Sequence, residues 1–304
     1  MGTGTSTAAT VSGPRRSGLA RVLLVLLALT VLAYTGAALW LMSQETRLVF
    51  RAGRPLGSAR PSPPFEQVEI TRSDGLHQFA WLMPASESGD QSIWVLFLHG
   101  NASTIASNAN IAHYEGLRTL GLHVMAAEYR GFGGLDGVPT EGSLYTDARA
   151  AYDHLKERVG VASERIVIYG WSLGAAVAVD LASQVPHAAL ILEGAPASLV
   201  AIGQAQYPLF PIRLLMRNPF HAIRKVHLIK SPMLFLHSPE DTVVPIGEGR
   251  QLFEAATASK RFVELRGGHV NAVQRDAEAF LTSIRMLLTD AAVLPRMRPV
   301  ELAR

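Results

Sequence analysis

The stretch Arg165-Ile-Val-Ile-Tyr-Gly-Trp-Ser-Leu-Gly-Ala-Ala-Val-Ala-Val-Asp180 decides how this chain is read. A short apolar run of strand character ends in Gly170-Trp-Ser172-Leu-Gly174, and an alanine-rich helical segment follows. Gly-x-Ser-x-Gly on a sharp strand-to-helix turn is the pattern of a nucleophile elbow, which presents a serine hydroxyl clear of its own backbone. The glycines have a steric reason, since a Cβ two residues either side of the serine would collide with neighbouring backbone. A helix that begins beside the serine aims its first N–H groups and its dipole at any negative charge developing there. The five residues alone also fit a glycine-rich connection in some other α/β fold, so their surroundings carry the argument.

Those surroundings alternate strand and helix. Residues 93–98 form an apolar run ending in His99-Gly100-Asn101, and a helix is expected over 104–120, a strand over 123–127 and a helix over 143–159. After the elbow come strands at 188–192, 233–236 and 261–265, with helices at 246–256 and 272–289. Two shorter runs, 66–71 and 76–83, are split by Ser73-Asp-Gly75, a hairpin signal. This order calls for a mostly parallel, doubly wound sheet covered on both faces. The rhythm breaks after Glu193, where 38 residues precede the next strand at Pro232. The apolar residues Leu199, Ile202, Tyr207, Leu209, Phe210, Ile212, Leu214, Leu215 and Met216, cut by Pro208 and Pro211, predict a small lid at about 195–231; an ordinary crossover helix is the rival.

Composition bounds the rest. The 304 residues carry a net charge of +3, which Arg15, Arg16 and Arg21 alone account for, leaving a body near neutral. No basic stripe of the kind that binds nucleic acid stands out, and a mixed solvated surface is expected. The chain has no cysteine, which removes disulfides, thiol nucleophiles and zinc-thiolate sites and fits an oxidising compartment. Residues 1–18 read as a disordered tail. Residues 22–42 form a run of 21 without a charge, about 31 Å as a helix, so 19–43 is predicted to be a transmembrane helix. A cleaved signal peptide, with a small-residue site near Thr35-Gly-Ala37, is the alternative, and Arg15-Arg16 hints weakly at a twin-arginine signal. Arginines flank the run on both sides, at 15, 16 and 21 and at 47, 51, 54 and 60, so their count does not orient it. The short leading tail and the long following domain place the domain on the extracytoplasmic side. Residues 44–64, with Pro55, Pro61, Pro63 and Pro64, are expected to be a stiff linker, 65–290 a globular domain, and 291–304 a loose tail.

A serine hydroxyl needs a base to take its proton, and the base needs a third group to orient it. In a doubly wound sheet these lie at the carboxyl ends of strands. Asp241 follows the strand at 233–236, and His269, in Arg266-Gly-Gly-His-Val-Asn271, follows the strand at 261–265. Glu240 and Glu193 are rival carboxylates. The backbone N–H groups of Asn101 and Leu173 are candidates for an oxyanion hole, with the His99 ring structural. No metal-ligand cluster or Walker loop is present, and Gly131-Phe-Gly133-Gly134 lacks the third glycine of the dinucleotide fingerprint, so no cofactor and no metal are expected.

Taken together, these residues resemble the α/β-hydrolase superfamily. Within it they resemble the membrane-anchored alpha/beta hydrolase domain-containing and bud-emergence-like group, related to serine aminopeptidases and monoglyceride lipases. The likeness covers about residues 44–286. It rests on Gln44-Glu-Thr-Arg-Leu-Val-Phe50, Leu98-His-Gly-Asn101, Tyr129-Arg-Gly-Phe-Gly133, Gly170-Trp-Ser-Leu-Gly174, Leu192-Glu-Gly-Ala-Pro196, Pro232 with Asp241-Thr-Val-Val-Pro245, and Gly268-His269. Ala175, Ser238 and Val270 depart from the usual pattern without removing Ser172, Asp241 or His269. The resemblance implies an α/β-hydrolase fold with a lid, preceded by the transmembrane helix, and a serine hydrolase cleaving carboxylic esters of acyl or lipid-like substrates. A thioesterase, an aminopeptidase and a non-catalytic binding protein on the same fold are the alternatives, and no oligomeric state is implied.

Overall fold

The uncharged run at 22–42 lies inside one helix, α1 (Arg16–Ser43), of which Gly18–Ser43 is long and apolar enough to cross a membrane. At 1.5 Å per residue those 26 residues extend about 39 Å, against a hydrocarbon core of ~30 Å. The computed structural model describes residues 16–72, 74–85 and 93–291, so of the tails expected at 1–18 and 291–304 all but residues 16–18 and 291 fall outside the described residues. The chain divides into two compact units, Met1–Gln44 and Glu45–Arg304.

The second unit begins with α2 (Glu45–Phe50), then β1 (Glu66–Thr71), β2 (His77–Met83), β3 (Trp94–Leu98), α3 (Asn108–Thr119), β4 (His123–Ala127) and α4 (Glu141–Glu157). It continues with β5 (Ile166–Trp171), α5 (Leu173–Ala182), β6 (Ala189–Glu193), α6 (Leu199–Gln206) and α7 (Ile212–Leu215). Last come β7 (Met233–His237), α8 (Ile246–Ala255), β8 (Lys260–Glu264), α9 (Ala272–Arg275) and α10 (Ala277–Asp290). The sheet order is β1-β2-β4-β3-β5-β6-β7-β8, antiparallel through β1, β2 and β4 and parallel from there on.

Alternating side chains of the inner strands feed two cores. Leu96, Ile168, Leu190, Leu192 and Phe235 pack with α4 and α5 on one face, and Val95, Phe97, Tyr169, Ile191 and Leu234 with Tyr114, Leu117, Phe280 and Ile284 on the other. Every residue of α5 is buried, which explains why all but Asp180, paired with Lys225, are glycine or aliphatic. Gly170 pairs with Leu98 on one side and Leu192 on the other, so β3, β5 and β6 end level and their following loops lie side by side. Between β6 and β7, where a lid is expected, lie the short helices α6 and α7 and two 3-10 turns; no residue of α6 is buried.

Three expectations are corrected. The stiff linker expected over 44–64 is instead packed onto the domain: Phe50 is fully buried with its ring 6.0 Å from Phe220, and Arg118 donates to the carbonyls of Ser62 (2.6 Å) and Pro64 (3.4 Å). Leu48-Val49-Phe50 has apolar area to bury, and a proline chain without N–H groups still offers carbonyls to a neighbouring donor. The helix expected from 104 begins at Asn108, because Thr104 Oγ1 accepts instead from Gly57 N (3.3 Å) and Ser107 is the N-cap. The closing helix breaks at Asp276, whose carboxylate turns back to the backbone N–H of Arg266 (3.0 Å) and to its guanidinium (3.0 Å).

Candidate active site

Ser172 occupies the turn between β5 and α5 with φ 56° and ψ −120°, a left-handed conformation that a bound backbone must hold in place. Its N–H donates to the Glu193 carbonyl on β6 (2.8 Å), and its own carbonyl accepts from Ala175 (2.9 Å). The flanking glycines are required by close approach. A Cβ at Gly170 would overlap Gly174 and Ala175, and one at Gly174 would run into the carbonyls of Leu98 and His99. The second clash comes from the loop after β3 and not from the elbow itself.

The three side chains singled out in the sequence meet here. His269 Nδ1 lies 2.6 Å from Asp241 Oδ2, and His269 Nε2 lies 2.8 Å from Ser172 Oγ. With Nδ1–H donating to the carboxylate, Nε2 of a neutral ring is the acceptor for the serine hydroxyl. Asp241 is held by its own turn, where Oδ1 accepts from the N–H groups of Val243 and Val244, each at 2.8 Å. Burial works to raise its carboxyl. The His269 hydrogen bond and charge, with the two amides, outweigh that and keep it below the ordinary carboxylate value. The indole of Trp171 lies 5.9 Å from the His269 ring at 30°, and Gly267 donates to Glu240 Oε1 (3.1 Å), shaping the loop that carries the histidine.

Neither rival carboxylate reaches His269. Glu240 is spent on Gly267, and Glu193 lies among buried donors, accepting from His113 Nε2 (2.8 Å) and from the Tyr169 hydroxyl. Gly100 sits against Ser172, since a Cβ built on it would lie 3.2 Å from the serine Cβ. The loop is shaped by the Asn101 side chain, which donates to the Val49 carbonyl (2.5 Å) and accepts from Ala102 N (2.6 Å). Among the described residues, no acceptor is hydrogen-bonded to the backbone N–H of Asn101 or of Leu173. The His99 ring turns away beneath the loop, bridging the Gly100 carbonyl and Glu128, each at 2.8 Å. Gly133 makes room for that same Glu128 carboxylate, which a Cβ would meet at 2.7 Å.

Sequence reading missed the supporting residues. His237, the last residue of β7, donates from Nε2 to the Val244 carbonyl (2.9 Å) and so clamps the turn that holds Asp241; burial keeps its ring below the ordinary histidine value. The buried His113–Glu193–Tyr169 group lies one layer below the elbow. A glutamate closing the otherwise apolar Ala-Leu-Ile-Leu-Glu193 was the available signal, because a carboxylate there demands buried donors. Among the described residues no group of three His, Cys, Asp or Glu side chains could hold a metal ion. A cavity of about 660 Å³ lined by Ile70, Tyr145, Arg149, Asp153 and Gln184 contains none of Ser172, Asp241 and His269, so it has no part in this geometry.

Comparison with known proteins agrees with the fold. The sequence model of the family described as "Serine aminopeptidase, S33" matches residues 90–218. An uncharacterized protein of Mycobacterium tuberculosis is 36% identical over 274 residues, 89% of this chain and 96% of that one. The lysophosphatidylserine lipase ABHD12 of Danio rerio is 34% identical over 184 residues, 55% of this chain and 48% of that one. Among solved structures, the Pyrococcus furiosus esterase Pf2001 superposes with a TM-score of 0.67 at 21% identity, over 80% of this chain and 98% of the esterase. Est1E from Butyrivibrio proteoclasticus, bound to ferulic acid, gives 0.62 at 17% identity over 75% and 100%. With a relative matched across nearly its whole length, a matching family model and this sheet, the chain belongs to the α/β-hydrolase superfamily, as a serine hydrolase of its ABHD-like group.

Proposed function

We propose that the chain cleaves carboxylic esters with an acyl or lipid-like acid part, through an acyl-enzyme on Ser172. The observation that carries this reading is the unbroken hydrogen-bonded line from Asp241 through His269 to Ser172 at the carboxyl edge of the sheet. Ser172 Oγ attacks the ester carbonyl while His269 Nε2 takes its proton. The carbonyl oxygen, now an alkoxide, is received by the backbone N–H groups of Asn101 and Leu173 and by the start of α5. Collapse breaks the bond to the leaving alcohol, which takes the proton from His269. A water then gives its proton to Nε2, attacks the acyl carbon and releases the acid with Ser172 restored. Asp241 remains an anion throughout, balancing the imidazolium that forms in each half.

The apolar residues of the lid favour an acyl chain over a charged substrate. Thioester and amide substrates use the same three side chains, and the family description supports an aminopeptidase as the second reading. The helix α1 suits a membrane anchor, with the hydrolase unit on the extracytoplasmic side. The test is labelling of the full chain by a fluorophosphonate together with hydrolysis of p-nitrophenyl esters of increasing acyl length. Labelling without turnover of any ester, thioester or aminoacyl amide would favour a binding protein on this fold.

A further inference from the structure

The basic residues of this near-neutral chain are segregated. Residues 195–231 contain Arg213, Arg217, Arg224, Lys225 and Lys230 and no acidic residue, and residues 46–60 contain Arg47, Arg51, Arg54 and Arg60 and none either. Apart from these stretches and the first 44 residues, the chain holds 16 basic and 25 acidic residues. Lys225 is paired with Asp180, but among the described residues none of Arg47, Arg51, Arg213, Arg217 and Arg224 is paired with a carboxylate. An uncompensated set of guanidinium groups of this size marks a surface that meets negative charge.

The part of the first stretch in and just after α2, which carries Arg47 and Arg51, packs against the second, while Arg54 turns to the Ala102 carbonyl and Arg60 lies over Trp81. Glu45 Oε1 accepts from the N–H groups of Arg217 and Asn218, each at 2.7 Å, and Phe50 packs on Phe220, so α2 lies along the base of the lid. The same surface carries exposed apolar side chains. In α7, Ile212 is buried while Arg213 and Leu214 face out, Leu214 at 80% exposure, and Leu209 before it is 81% exposed. Large aliphatic groups set among unpaired arginines match a lipid interface, where cations meet headgroups and leucines enter the acyl layer. A nucleic acid would use the cations and leave the leucines in water. Only one residue, Gln44, separates Glu45 from the end of the membrane-length helix α1, so any bilayer holding α1 is within short reach of this surface.

We infer that α2 and the lid together form a docking surface for an anionic lipid bilayer, with the arginines on the headgroups and Leu214 and Leu209 in the outer acyl layer. This rests on α1 holding the chain at a membrane. It does not rest on the ester reading, because its test measures lipid contact and not turnover.

The absence of cysteine makes the test direct. The full chain carrying Leu214→Cys is labelled with a fluorophore and reconstituted into vesicles of neutral phosphatidylcholine, with or without added phosphatidylglycerol. Quenching by acrylamide reports water, and quenching by brominated acyl chains reports depth. A label at Glu157→Cys is the reference, at the far end of α4, whose first residue Glu141 binds Phe220 N; that end lies about 24 Å along the helix from the lid. In anionic vesicles the label at 214 is expected to be shielded from acrylamide at least threefold relative to the reference, and to be quenched by the brominated chains. Combined Arg213→Glu, Arg217→Glu and Arg224→Glu, or high salt, should remove most of that protection. Leu209→Cys is the second position if the first variant melts below the wild type. A label at 214 as open to acrylamide as the reference overturns the inference, as does failure of the chain to float with vesicles. Equal protection in neutral and anionic vesicles overturns the choice of an anionic partner.

Discussion

Gly194 stands against the imidazole of His269: a Cβ built at position 194 would lie 3.2 Å from Cε1 and 3.3 Å from Nδ1 of the ring, and 3.5 Å from Asp241 Oδ2. Its φ of 53° is also one that a side chain adopts only at a cost of about 1–3 kcal/mol. Gly194→Ala should therefore melt a few degrees lower and displace the ring by some tenths of an ångström from Ser172. Rate is more sensitive to that displacement than stability is, so hydrolysis of a p-nitrophenyl ester should fall by about tenfold or more. A variant that melts lower yet hydrolyses at the wild-type rate would show that the ring is not poised by this contact.

Asp241 and Glu240 are neighbours in sequence, but only Asp241 bonds to His269, while Glu240 holds the N–H of Gly267. Asp241→Asn should lower the rate by about 10⁴-fold through the wrong histidine tautomer, and Glu240→Gln should stay within about tenfold of wild type. Ser172→Ala should abolish both turnover and fluorophosphonate labelling at an unchanged melting temperature. Measuring the larger loss at Glu240 would reassign the acid.

Much of this arrangement was legible because each part has a strong local signature. The inner strands are continuous apolar runs, the elbow needs Gly170 and Gly174, and Asp241 and His269 each sit just past a strand whose end is fixed by the sheet. What was hidden depended on contacts distant in sequence. Nothing local to Glu45 shows that its carboxylate will accept from residues 217 and 218, and nothing local to His113 shows that its ring will meet Glu193, 80 residues on. The proline-rich 55–64 was misread for the same reason. Proline predicts an extended chain correctly but says nothing about whether that chain lies in solvent or against Arg118.

Glu45 gives a stability prediction. Its Oε1 accepts from Arg217 N and Asn218 N at 2.7 Å and from Asn218 Nδ2 at 3.1 Å, and the residue is buried. Glu45→Ala leaves buried donors without an acceptor, which costs about 1–3 kcal/mol, whereas Glu45→Gln keeps an acceptor oxygen and should recover most of the loss. Amide hydrogen exchange should show the opening confined to residues near 217–220 and α7. Uniform exchange across the whole sheet in Glu45→Ala would mean that the residue holds no local clasp.

His113 predicts a pH dependence on the alkaline side. Burial works to lower its pKa, but the charge and hydrogen bond of Glu193 and the Ala109 carbonyl outweigh burial, and the ring sits above its ordinary 6.5. A folded pKa raised above the unfolded one means that the native state binds the extra proton, so the stabilisation is fully present below about pH 6.5 and fades as pH rises through the folded value. The stability gap between wild type and His113→Gln in urea should therefore be widest near pH 6 and shrink towards pH 9. A gap that widens with pH would reverse the sign and place a neutral ring beside Glu193.

The last prediction concerns where the hydrolase unit begins. Were 44–64 a spacer, a chain starting at Phe65 would be soluble and active. The structure places Phe50 in the core at 0% exposure, uses the Val49 carbonyl to hold the Asn101 side chain next to Gly100, which abuts Ser172, and sets Gly57 so close to Ala106 that a Cβ would overlap its carbonyl. Removing a buried phenylalanine alone costs about 3–5 kcal/mol, a large share of the ~5–15 kcal/mol that holds a typical domain folded. A chain starting at Gln44 should thus be soluble, monodisperse and active on a short-chain ester, while one starting at Phe65 should aggregate or melt at least ten degrees lower with the Asn101 loop released. The full chain, in contrast, should sediment with membranes and resist carbonate extraction, as a buried apolar helix of this length does. Equal melting temperatures and rates for the two shortened chains would show that residues 45–64 add nothing to the fold, and would return them to the role of a tether.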